Sequence, residues 1–295
     1  MVLADAFIQG ILMGFLFALI SLGLTIIFGV MDIVNFAHGE FLMLGMYTAY
    51  CLSISLGVDP LVTLPLCGAV GALLGLVSYY GLVRYLLRGP MVAQLLGTFG
   101  LMLFLRYLAV FLWGIDYRMI KKGLLVGKSL TIGPFHLDMT KVVCALLSLV
   151  AFTVVSWIIF KTRVGKALRA TSINREAASY MGIKTERMNA LAWAMGGITV
   201  GIAGGLLANF YYIYPMVGLL FVMIAFATVA LGGFGSIKGA FFAGILIGIL
   251  ETVFPIIGHL LKTSIIGPQY KMTIVYLAYF LVVVFRPRGL FGWEQ

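Results

Sequence analysis

Runs of about 20 apolar residues recur along this chain of 295 residues, and no other feature limits its possible folds so strongly. A helix rises about 1.5 Å per residue, so each run is long enough to cross a hydrocarbon layer about 30 Å thick. A membrane-spanning barrel would need alternating apolar and polar residues instead. With 62% hydrophobic and 10% charged residues, a soluble domain is excluded. The expectation is an all-α polytopic membrane protein of eight or nine crossings, forming one domain over residues 1–295. The segments are expected at 7–30, 35–56, 61–86, 91–113, 141–160, 189–212, 216–231, 239–255 and 270–285. The second and the seventh or eighth are candidates for broken or re-entrant helices. The first lacks a basic leader and a small-residue cleavage site, which predicts a retained helix.

The net charge of +10 sits in the loops flanking these runs, which points to topology and excludes nucleic acid as a partner. Placing the longest polar stretch in the cytoplasm puts 12 basic residues inside, 7 outside and Arg106 within the fourth segment. The C-terminus is then inside and the N-terminus outside. The connector 114–140, with Arg118, Lys121, Lys122, Lys128 and the turn pair Gly133-Pro134, reads as a partly structured loop. Cys51, Cys67 and Cys144 are scattered in apolar runs and suggest neither a disulfide framework nor a metal cluster. A metal site built from His38, Glu40, His136 and His259 lacks the spacing that helical ligands need.

That longest polar stretch runs from Lys161 to Met188. Arg163, Lys166, Arg169 and Arg175 alternate there with apolar residues at helical spacing, and Gly182 follows a run of strong helix formers. Two short helices meeting at a bend are expected, the second ending in a left-handed glycine cap. The stretch VGKALRATSINREAASYMGI resembles the EAA-x-x-x-G coupling loop of bacterial ABC importer permeases, in particular branched-chain amino acid permeases of the LivH type. NFAHGEF at Asn35–Phe41 and RPRGLFG at Arg286–Gly292 match the same family. Ala190-Leu191-Ala192-Trp193 replaces the hydrophobic and proline signature found downstream in more distant importers. The resemblance implies an ABC importer permease bundle in the bacterial inner membrane. It also implies a second permease subunit, two cytoplasmic ATPases that bind ATP and Mg, and a periplasmic binding protein for leucine, isoleucine or valine. Arg163, Gly165, Arg169, Glu176, Ala177, Ala178 and Gly182 would form the coupling loop, and no cofactor is expected in this chain.

Three charged residues fall inside apolar runs: Glu40, Arg106 and Glu251. Each is costly in a bilayer unless it is paired or faces a wet cavity, so Arg106 is expected to pair with one of the acids or the group to line a path. Asn35, His38 and Glu40 crowd the start of a helix, where free N–H groups suit a polar substrate; alternatively, Asn35 caps that helix. The stretch Gly232–Phe241 resembles the region from Phe28-Gly29 to Phe41, with Gly39 and Gly239 in correspondence, which hints at an internal repeat around a central path. Gly232 and Gly235 therefore join Asn35, His38 and Glu40 as candidate translocation-path residues. Gly197, Gly201 and Gly205 repeat every four residues, as do Gly71 with Gly75 and Gly244 with Gly248, which marks faces where helices pack closely. Gly123 to Ser129 falls one residue short of a phosphate-binding loop. From the residues alone, a secondary carrier or channel for urea or an amide is the rival to an ATP-driven importer.

Overall fold

The computed structural model describes residues 2–121, 123–125, 127–132, 135–260, 270–286 and 289–292. Lys122, the Gly133-Pro134 pair, Lys262, Arg288 and Gln295 lie outside them, as do the placements of the His136 and His259 side chains. The elements in order are α1 (Val2–Met31), α2 (His38–Leu56), α3 (Leu64–Ser78), a π turn (Tyr79–Val83), α4 (Arg84–Leu86), α5 (Met91–Trp113), α6 (Met139–Lys161), α7 (Arg163–Ile173), α8 (Arg175–Tyr180), α9 (Thr185–Leu207), α10 (Val217–Gly232), α11 (Ile237–Leu260) and α12 (Lys271–Phe285). Among the described residues, six stretches are long and apolar enough to cross a membrane: Val2–Met31, Leu64–Leu86, Met91–Trp113, Met139–Lys161, Thr185–Leu207 and Ile237–Gly258. α10 and α12, at 16 and 15 residues, are shorter, and α2 opens on polar residues.

Two departures from the sequence reading have local causes. The connector holds an antiparallel hairpin of β1 (Ser129–Ile132) and β2 (Phe135–Asp138), too short to carry an alternating pattern. Asp138 ends it and caps α6 by accepting from the Thr140 N–H. α11 runs past Pro255, because a proline inside an apolar bundle loses one backbone bond without exposing the helix to water.

The core is two tight antiparallel pairs. Along α1 and α11, Gly10 and Gly14 lie against the backbone of Gly248 and Ile245. Along α3 and α9, Gly71 and Gly197 face one another so closely that a Cβ on either would strike the carbonyl of the other, and Gly75 lies on the Trp193 carbonyl. With lipid as apolar as the side chains themselves, such backbone approach is what makes helix association favourable. Trp193, Phe41, Phe17 and Phe221 fill the space between the pairs. Gly197→Leu is expected to drive α3 from α9 and cost about 3 kcal/mol or more. Loss of a monodisperse peak on size-exclusion chromatography measures it.

Candidate translocation path and coupling loop

The depth at which α2 begins organises the interior of the bundle. After Met31 the chain turns at Asp32, which takes a left-handed φ of 54°, and runs back along the bundle. Val34 accepts from the Thr98 hydroxyl of α5 at 2.9 Å. Asn35 Oδ1 accepts from the Ala37 N–H at 3.0 Å, an Asx turn that bends the chain into α2 in place of the helix cap expected for it. His38 Nε2 donates to the carbonyl of Ile20, well inside α1, at 2.8 Å. The Gly23 backbone and Thr199 flank that imidazole. α2 therefore starts at the middle of α1, α5 and α9, not at an end of the bundle.

α10 starts at the same depth from the other direction. Gly39 and Gly218 touch backbone to backbone, and a Cβ on Gly39 would land on the Gly218 carbonyl. From this crossing α2 runs toward the end where Leu42 and Met46 pack on Gly204 of α9, and α10 runs toward the opposite end, where Gly232 meets Gly239. Two helix N-termini, each the positive end of a dipole, thus abut in the interior of the bundle.

Glu40 sits at that junction. Its carboxyl carbon is 3.1 Å from where a Gly218 Cβ would stand. Arg106 of α5 donates to Glu40 Oε1 through Nη2 at 2.6 Å and through Nε at 3.1 Å. The side chains are 0% and 8% exposed, so the pair is desolvated. Both donors meet the same oxygen. Glu40 Oε2, Asn35 Nδ2 and His38 Nδ1 are buried without a partner. Glu251 pairs instead with Lys271 of α12 at 2.7 Å; that lysine is 39% exposed, where Arg106 is 8%.

Gly232 and Gly235 stand apart from this junction. Gly235, at φ 78°, lies against Gly29, and the Phe234 ring lies tilted against Phe28 with centroids 4.5 Å apart, so the two similar Phe-Gly turns meet at one end of the bundle. The tail closes the same end, with Leu290 and Phe291 N–H donating to the carbonyls of Leu231 and Gly232. Gly39 and Gly239 each lie against another glycine backbone, Gly39 on Gly218 and Gly239 on Gly232.

The polar stretch forms the two helices its sequence suggests. Thr162 caps α7 by accepting from the Gly165 N–H at 3.1 Å, and Asn174 caps α8 by accepting from the Ala177 N–H at 2.9 Å. Gly182 ends α8 at φ 81°. The Ile183 N–H reaches the Ala178 carbonyl and the Gly182 N–H the Ser179 carbonyl, the paired bonds of a Schellman cap. Gly165 is buried, because a Cβ there would strike the carbonyls of Ile158 and Ile159; α7 is folded hard against the end of α6. Arg169 donates back to the Phe160 carbonyl at 3.3 Å and lies over the Phe160 ring, so it fastens that corner. Ala178 is buried, while Arg163, Glu176 and Ala177 face out. Glu176 accepts from the Tyr180 hydroxyl at 3.2 Å. The sequence reading missed an apolar tip: Ile173, Tyr180 and Met181 are 80%, 80% and 83% exposed. Its signal was three large apolar side chains in a stretch otherwise read for charge.

A family model described as branched-chain amino acid transport system / permease component matches residues 6–284. The chain belongs to this family. The permease is 30% identical over 300 residues to the high-affinity branched-chain amino acid transport system permease protein LivH of Escherichia coli, covering 96% of this chain and 94% of the relative. It is 29% identical to LivH of Salmonella typhimurium over the same shares, and 30% identical over 302 residues to the corresponding protein BraD of Pseudomonas aeruginosa, covering 97% and 94%. No solved structure matches. With six helices among the described residues long and apolar enough to cross a membrane, this permease is a multi-pass protein of the bacterial inner membrane.

Proposed function

We propose that the chain is the membrane-spanning subunit of an ATP-driven importer of branched-chain amino acids, moving substrate past the junction of α2 and α10. The observation that carries this reading is the pair of abutting N-termini at Gly39 and Gly218 beside a buried, half-satisfied Glu40–Arg106 pair. An amino acid brings a carboxylate and an ammonium together. The carboxylate is offered Arg106 and the positive ends of two helix dipoles; the ammonium is offered Glu40 Oε2. Apolar Phe17, Phe41 and Phe221 nearby suit a branched aliphatic side chain.

In this reading α2, α10 and α12 join the six longer spans as nine crossings, with the N-terminus outside and both the 161–188 loop and the tail in the cytoplasm. A second permease, two ATPases holding ATP and Mg, and a periplasmic binding protein complete the importer. The exposed tip of Ile173, Tyr180 and Met181 enters a groove of an ATPase, and closure of the ATPase pair moves α7 and α8. Because Gly165 locks α7 onto α6, the motion reaches the bundle and switches access to the junction from one face to the other.

Leucine uptake into vesicles carrying the complete complex tests this. Uptake is expected to require ATP hydrolysis and the binding protein and to survive a protonophore. Uptake by the permease alone, collapsing with the proton gradient, would establish a secondary carrier instead.

A further inference from the structure

A second charged feature lies at the end of the bundle that carries the 161–188 loop, away from the junction. Tyr79, Arg84, Leu87, Arg88, Arg175 and Glu186 line a cavity of about 310 Å³. Three guanidinium groups from two separate parts of the chain face one carboxylate, so the lining is strongly cationic. Its single ion pair, Arg84 Nη1 to Glu186 Oε1, is a loose 3.3 Å between side chains 38% and 54% exposed. Arg84 Nε is buried with no partner. The arginines are there because of the π turn at Tyr79–Val83: its extra residue rotates the chain beyond by about 100°, bringing Arg84 and Arg88 round toward α8 and α9. Such a turn is costly to keep in an otherwise regular helix unless it places something.

We propose that this cavity binds a phosphate-bearing anion. Guanidinium forks match phosphate oxygens bidentately, and the volume suits one phosphate group with its ester substituent. The source is either a lipid headgroup or free phosphate. Tyr80 and Tyr85, 45% and 56% exposed on the same turns, mark the level of the membrane interface, which places a headgroup within reach. Arg175 is the first residue of α8, Arg84 opens α4 and Arg88 lies in the turn after it. A bound phosphate therefore ties the coupling loop to the bundle beside α9.

The test is native mass spectrometry of the purified complex, titrated separately with phosphatidylglycerol, phosphatidylcholine and inorganic phosphate. One saturable phosphatidylglycerol site is expected, with phosphatidylcholine much weaker. Arg84→Gln with Arg88→Gln should weaken it about fivefold per arginine. Glu186→Gln removes the competing carboxylate and should tighten it about fivefold, a gain that a misfolded protein cannot give. Inorganic phosphate binding with the same variant dependence, and no preference for phosphatidylglycerol, would assign the site to free phosphate. Equal binding of both lipids with no phosphate adduct, or a Glu186→Gln protein indistinguishable from the parent, would overturn the proposal.

Discussion

Arg106→Met should destabilise the permease by about 3–5 kcal/mol, among the largest effects of any single side chain in the bundle. The reason is the partner it abandons: Glu40 is wholly buried, its Oε2 already lacks a donor, and Arg106 supplies both bonds to Oε1. An unpaired buried carboxylate carries the full cost of its lost hydration, offset in part by the two helix N-termini that face it. Replacing both members, Glu40→Gln with Arg106→Met, removes the charge and should recover most of the loss, since an apolar or neutral pair of similar volume is often tolerated. Thermal unfolding of the purified protein measures this. Transport separates the two roles of the pair: the double variant should be folded yet fail to take up leucine, because neither charge remains for the zwitterion. Full uptake by the double variant would make the pair a structural clamp and move the path elsewhere.

Much of this architecture was legible from the sequence. The limits of α5 coincide with the apolar run between Pro90 and Gly114, because proline cannot donate and glycine takes the φ of 76° that stops the helix. The glycine stop at Gly182 was readable for the same reason, a local matter settled within four residues, whereas the Thr162 and Asn174 caps were passed over in a stretch read for charge. Pairing of Arg106 with an acid followed from the cost of lone charges in lipid, though which acid did not. Depth was not legible. Hydropathy reports whether a segment is apolar, and nothing in it shows that α2 starts beside Ile20 or that Gly39 meets Gly218, about 180 residues away. The modest length of Val217–Gly232 and the polar start at His38 were the available hints. The two Phe-Gly turns that look alike in the sequence lie side by side in the fold, a proximity that likeness alone does not imply.

The 161–188 loop carries the central claim, that an external ATPase drives this bundle. Gly182 has open space around it, so a side chain there meets no neighbour, and the whole effect of Gly182→Val comes from its φ of 81°. Holding a β-branched residue in that conformation costs about 1–3 kcal/mol, enough to unwind the cap and shift Tyr180 and Met181, which stand immediately before it. The membrane bundle shares none of that strain, so the protein should insert and accumulate normally. Tyr180→Ala with Met181→Ala attacks the same tip without touching the backbone. The decisive measurement is recovery of the ATPase with a tagged permease, made beside leucine uptake in the same membranes. Both the Gly182→Val and the Tyr180→Ala/Met181→Ala proteins should be abundant, retain little ATPase and transport no leucine. Normal ATPase recovery together with normal uptake in both would contradict the account and leave the loop without a part in coupling.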